Sequence, residues 1–150
     1  MNILFFLTPK HDVDFIYDDY TLRQAVEKLE YHGYTAVPML DREGRYVGTL
    51  SEGDILRYVK EHHNLDLKSA ESIPVSQIPQ SRFFTAVSAT SLMENLIDVA
   101  CSQNFVPVVD DSDKVIGIIT RRDIIRHSYH EVLRLKFKLR DCDEKQMTFL

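Results

Sequence analysis

Tryptophan is absent from these 150 residues, and cysteine, glycine and proline are scarce, at two, five and five. The two cysteines, Cys101 and Cys142, cannot build a disulfide framework, and with only scattered histidines they match no zinc-ligand spacing. A reducing compartment fits, and so few glycines and prolines exclude a collagen-like or low-complexity chain. Long hydrophobic runs are also missing: Ile3 to Leu7, the longest, has five residues, against about 20 for a helix that crosses a bilayer. Neither a basic segment nor a small-residue cleavage site surrounds it, so a soluble, cytoplasmic protein is expected. Eighteen Lys+Arg against 23 Asp+Glu leave a net charge of −5, and any binding of nucleic acid or phosphate has to be local. With 44% apolar and 27% charged residues, the chain is an ordinary globular one, long enough for one domain or two small units packed together.

The chain also contains an internal repeat. At an offset of 69, Val37-Pro38 returns as Val106-Pro107, Asp41 as Asp110, Gly48 as Gly117, Asp54-Ile55 as Asp123-Ile124 and Arg57 as Arg126. Residues 36–57 and 105–126 share seven identities in 22 positions. Upstream the offset becomes 70, pairing Pro9 with Pro79 and Leu22 with Leu92, which predicts one residue lost from repeat 2 in the turn where repeat 1 has Gly33.

Each repeat reads alike. Thr21 opens a helix whose Leu22, Ala25, Val26 and Leu29 share one face, and Gly33 suits a left-handed C-terminal cap. Two strands follow, 36–40 and 46–50, around the turn Asp41-Arg42-Glu43-Gly44; their counterparts 105–109 and 115–119 flank Asp110-Asp111-Ser112-Asp113. A second helix begins after Ser51 or Thr120. The expected fold is α+β, two β-α-β-β-α repeats related by a pseudo-twofold axis, because about 50 residues bury too little apolar surface alone. The predicted divisions are 1–63 for the first unit with its lead-in, 64–80 for a linker, 81–130 for the second unit and 131–150 for a tail.

The Val-Pro-x-x-Asp strand followed by Gly-x-x-Ser/Thr-x-x-Asp opening a helix, twice in tandem, resembles a pair of CBS domains, the Bateman module. The resemblance covers about residues 5–130. Thr8-Pro9 is similar to the Met-Thr-Pro lead-in of such domains and Ile78-Pro79 is a weaker version; the missing turn glycine of repeat 2, the bulky Phe105 and the tail depart from the pattern. The family is not catalytic. The resemblance implies a sensor of an adenine nucleotide, AMP, ADP, ATP or cyclic di-AMP, or of S-adenosylmethionine, which signals to a separate effector as a homodimer and needs no cofactor. It further implies that Asp54 and Asp123 hold ribose and that Ser51 and Thr120 contact ribose or phosphate. The backbone at Tyr34, Thr35 and Ala36, and at Asn104 and Phe105, would read the adenine edge, with Pro38 and Pro107 shaping the wall.

The residues themselves leave alternatives open. Ser51 with Asp54, and Thr120 with Asp123, form capping-box variants that stabilise a helix start without any ligand. A helix N-terminus is also an anion site, and both roles can coexist. Repeat 1 places Glu52 there, which suits the dipole and repels phosphate; repeat 2 places Arg121 and Arg122 against the dipole. A bound phosphate would explain the arginines, and so would solvent or the nearby Asp110, Asp111 and Asp113. His62-His63 diverge on a helix and form no metal pair, so no metal is expected. Phe83-Phe84 could stack a base, but strand alternation favours one ring in the core, and Cys101 reads as a small buried hydrophobe. Arg134 to Arg140 alternates basic and apolar at period two, as a strand covering a sheet edge or a dimer surface would, although a local +5 over 121–140 could also grip nucleic acid or an acidic partner. The rival to nucleotide sensing is a constitutive dimerisation and docking module without a ligand.

Overall fold

The structure is a computed structural model that describes residues 1–62, 66–80 and 84–148. The first repeat runs β2 (Ile16–Tyr17), α1 (Leu22–His32), β3 (Ala36–Leu40), β4 (Tyr46–Ser51) and α2 (Glu52–His62). A four-residue helix, α3 (Leu67–Ala70), precedes the second repeat: β5 (Val87–Ser88), α4 (Met93–Ser102), β6 (Phe105–Val109), β7 (Val115–Thr120) and α5 (Arg121–Thr148). Ahead of both lies β1 (Thr8–Pro9).

Local signals set these elements. Thr21 and Gln24 close a capping box at the start of α1, and Gly33 ends it with φ 65° and ψ 29°, the left-handed cap. Both hairpin turns need one left-handed residue: Gly44 has φ 86°, and at the matching place Asp113 takes φ 61°. Asp41 and Asp110 hold these turns, each carboxylate accepting two backbone N–H bonds of 2.8–3.0 Å.

β2 lies parallel to β3, which pairs antiparallel with β4; the second sheet runs β1-β7-β6-β5. The lead-in of the chain therefore crosses into the other half, where Thr8 pairs with Ile118 and Pro9 with Gly117. Ile3 and Phe6 follow it into the core built on Leu96, Val106, Val108 and Ile119. In exchange, Ala70, Val75 and Ile78 enter the core of Ile16, Leu22, Val37 and Leu50. The repeated glycines permit both crossings: a Cβ on Gly117 would press into the Thr8 carbonyl, and one on Gly48 into the Gln80 side chain.

Four expectations need correction. Residues 134–140 are helix, not strand, because no glycine or proline interrupts α5 and the preceding turns continue through them. Cys101 is exposed, one position round from the buried face of Leu96 and Ala100. Leu92 does not match Leu22: it is the exposed N-cap of α4, equivalent to Thr21, and the β2–β5 and cap positions correspond at an offset of 71, so the second helix-to-strand turn is two residues shorter. Phe84 lies outside any strand, half-buried against Phe105; Phe83 and His63 fall outside the described residues. His62 stacks on Tyr58 and bonds its carbonyl at 2.9 Å, and the described residues hold no group of three metal-ligating side chains.

Candidate functional site

β4 and β7 each run straight into a helix, and both junctions form reciprocal caps. The Ser51 N–H donates to Asp54 Oδ2 at 3.0 Å and the Asp54 N–H to Ser51 Oγ at 3.2 Å. Opposite, the Thr120 hydroxyl donates to Asp123 Oδ2 at 2.7 Å and the Asp123 N–H to Thr120 Oγ1 at 3.1 Å. Beyond this the junctions diverge. Asp54 is 2% exposed, with Arg57 Nη1 3.5 Å from its Oδ1. Asp123 is only half-buried, and its Oδ1 takes up no hydrogen bond among the described residues.

The strand edges diverge in the same sense. Thr35 O accepts the Glu52 N–H at 2.9 Å and Asn104 O accepts the Arg121 N–H at 2.9 Å, so the pairs Ala36–Ser51 and Phe105–Thr120 are non-hydrogen-bonded rungs. In such rungs the N–H and C=O of Ala36 and Phe105 point away from the partner strand. The Ala36 edge opens on a cavity of about 1000 Å³ lined by Tyr34, Thr120 and Asp123 among others. The Phe105 edge is taken: buried Gln103 donates from Nε2 to Phe105 O and Thr85 O, both at 3.0 Å, and accepts the Thr85 N–H at 2.7 Å. The rings of Phe84 and Phe105 stack 6.5 Å apart beside it, leaving a cleft of about 290 Å³.

The cations are also placed unequally. Arg121 lines the large cavity but is engaged within the chain: its Nε donates to Ala100 O at 2.7 Å and its Nη2 lies 3.5 Å from Cys101 O, at the negative end of α4. Arg122 and Arg126 line the large cavity, exposed and without a hydrogen bond or ion pair among the described residues. Across the cavity, burial and the Asp14 carboxylate raise the Tyr34 phenol above its ordinary pKa, and Asp14 Oδ2 lies 3.1 Å from His32 Nε2.

The family model of the CBS domain matches residues 6–61 and again 75–130. The chain belongs to the CBS-domain family. Among curated proteins, an uncharacterised protein of Methanocaldococcus jannaschii is 26% identical over 141 residues, covering 73% of this chain and 82% of that one. Two other relatives from that organism are longer, and the chain spans 44% and 24% of their lengths. Among solved structures, CbpB in complex with c-di-AMP superposes with a TM-score of 0.80 at 22% identity, covering 92% of this chain and 91% of that one. CBSX2 in complex with AMP does so with a TM-score of 0.69 at 22% identity, covering 86% and 96%.

Of the residues singled out from sequence, the large cavity of this CBS pair brings together Tyr34, Thr35, Ala36, Pro38, Asn104, Phe105, Thr120, Arg121, Arg122 and Asp123. Ser51 lines the small cleft instead, and Asp54 and Pro107 line neither. Sequence reasoning missed Thr8, Asp14, Arg126 and Tyr129. Arg126 was within reach: it is part of the duplicated motif and stands three residues after Asp123, on the same helix face. Thr8 and Asp14 were not, because the crossing of the lead-in is a tertiary event.

Proposed function

We propose that this CBS pair is a regulatory sensor of one adenine nucleotide per chain, AMP, ADP, ATP or c-di-AMP, bound in the large cavity. It signals to a separate effector from the cytoplasm, acts as a homodimer and performs no reaction of its own. The observation that carries this reading is the coincidence, in one cavity, of an open backbone edge at Ala36, a carboxylate with a spare oxygen at Asp123 and two uncommitted arginines. The Ala36 N–H and C=O suit the donor and acceptor edge of adenine. Asp123 Oδ1 suits ribose hydroxyls, and Arg122 and Arg126 suit phosphate, for which a guanidinium is shaped. The complexes of CbpB with c-di-AMP and CBSX2 with AMP support the class of ligand. The non-catalytic part is supported by the engagement of both motif carboxylates in helix caps, Asp54 with the Ser51 N–H and Asp123 with the Thr120 hydroxyl, rather than with an attacking group.

The test is calorimetry with adenosine, AMP, ADP, ATP and c-di-AMP. A stoichiometry of one per chain, with phosphorylated ligands preferred over adenosine, is expected. Failure of every ligand to bind would instead leave the ligand-independent docking module.

A further inference from the structure

Helix α5 spans 28 residues, and its packing against the core lies in its first turns, where Ile124 enters the second core and His127 meets the rings of Phe5 and Phe6. From Arg134 to Lys145 every side chain is exposed. A helical extension with its apolar face exposed has little to stabilise it in water, since most helical stability in proteins comes from packing such a face. This one carries such a face: Val132, Leu135, Leu139 and Cys142 follow a 3-4-3 spacing, the first three 50%, 57% and 66% exposed and Cys142 exposed as well. That spacing is the seam of a two-stranded coil, with Val132 and Leu139 at the a positions and Leu135 and Cys142 at the d positions.

The charges beside the seam choose the occupant. In a parallel in-register pair, each g residue faces the e residue five places on in the other helix. Glu131 then meets Lys136 of the second copy and Lys138 meets Asp143, and twofold symmetry repeats both contacts, so all four are attractive. In an antiparallel pair with Val132 against Cys142, Lys136 and Lys138 each face their own copies, which is repulsive. We propose that two copies of this chain join through α5 as a parallel coil along Val132, Leu135, Leu139 and Cys142. The proposal deepens the homodimer in the functional reading by giving it a seam, and it is independent of nucleotide binding.

In the parallel coil the two Cys142 thiols face each other across the axis, whereas in the antiparallel one each faces Val132. The full chain with Cys101→Ser is treated with diamide, which takes two electrons and two protons from a pair of thiols as the S–S bond forms. A covalent dimer through Cys142 is expected, and Leu135→Glu with Leu139→Glu should abolish it; both positions are exposed in the lone chain, so the CBS pair stays folded. Light scattering of the untreated wild type should give twice the 17.5 kDa chain mass. Lys138→Glu should weaken the dimer about tenfold, and adding Asp143→Lys should restore it. A wild-type mass of one chain at every concentration overturns both the seam and the homodimer. A dimer that survives the double glutamate substitution and forms no Cys142 link overturns the seam alone, placing the dimer on another face.

Discussion

The two halves of this CBS pair start from one motif and arrive at different surfaces. In the first, Ser51 and Asp54 close on each other, Asp54 sinks to 2% exposure and Arg57 leans on it. In the second, Thr120 and Asp123 close a like cap through the Thr120 hydroxyl, while Asp123 lines a large cavity with one oxygen unbonded among the described residues and Arg126, the counterpart of Arg57, is uncommitted. A duplicated sequence therefore specifies the duplicated cap and not a duplicated site. What decides between them is the neighbour across the pseudo-twofold axis. Gln103, Thr85 and the two phenylalanines fill one cleft, and small Ala36 leaves the other open.

The largest effect that would test this comparison lies at the crossing segments. A methyl group on Gly117 meets the Thr8 backbone carbonyl and Leu7, which cannot move without breaking the β1–β7 pairing; on Gly48 it meets the flexible end of Gln80, at a φ of 158° that side chains rarely adopt. Gly117→Ala should cost about 3 kcal/mol and Gly48→Ala about 1–2 kcal/mol, read by urea denaturation. Equal losses would mean that the two crossings are equally rigid.

The next effect is confined to the first half. Burial pushes the Tyr46 phenol up to about 12, against the pull of its 2.6 Å bond with Thr49, and Val115 stands at the matching place. Because the folded pKa lies above the unfolded value near 10, the neutral phenol's contribution is complete below pH 10 and is lost as pH rises towards 12. Wild type should lose about 2–3 kcal/mol over that window beyond what Tyr46→Phe loses. Parallel denaturation curves for the two proteins from pH 9 to 12 would contradict it.

How much of this was legible in the sequence varies with the range of the interaction concerned. The repeat, the strand–helix order, the caps at Thr21, Ser51 and Thr120 and the turn at Gly33 are local, and the residues that make them lie within a few positions of each other. The exchange of β1 and residues 75–78 between the cores is not local, and Gly48 and Gly117, which permit it, stood out in the sequence only as a repeated pair. Arg134 to Arg140 misled because alternation at period two is also what a helix shows when apolar residues on two faces interleave with cations. The absence of any glycine or proline after Gly117 was the better guide. At the site, Asp123 and Ala36 were readable from the motif, whereas the closing of the other cleft depended on Gln103 reaching Thr85, 18 residues away.

Affinity offers a smaller but sharper contrast. Arg122→Gln with Arg126→Gln should weaken phosphorylated ligands by about 1.5–3 kcal/mol per charged hydrogen bond lost, with adenosine unaffected. Arg57→Gln, at the matching place in the first half, should leave calorimetric affinities unchanged. An equal loss from both would erase the functional difference between the clefts.

The smallest expected effect concerns Arg121, and it links the sequence difference at the two helix starts to the length of the two turns. In the first half, Gly33 and the extra residues let backbone amides satisfy the end of α1: the Gly33 N–H reaches Glu30 O at 3.2 Å and the Tyr34 N–H reaches Leu29 O at 3.0 Å. The shorter turn of the second half supplies only the Gln103 N–H to Val99 O at 3.2 Å, and the guanidinium of Arg121 takes up the next two carbonyls, of Ala100 and Cys101. A cation at the start of α5, unfavourable to its own helix, is thus offset by the C-terminus of α4. Glu52 has no such task, because the matching carbonyls are already bonded. Arg121→Gln should therefore lower stability by about 1 kcal/mol, or about 2–4 °C in melting temperature, without weakening nucleotide binding. Glu52→Arg should bring no gain and cost about 0.3–1 kcal/mol against the α2 dipole. If Arg121→Gln left the melting temperature unchanged and weakened phosphorylated ligands instead, Arg121 would be a phosphate group's partner after all, and the shorter turn would need another explanation for its carbonyls.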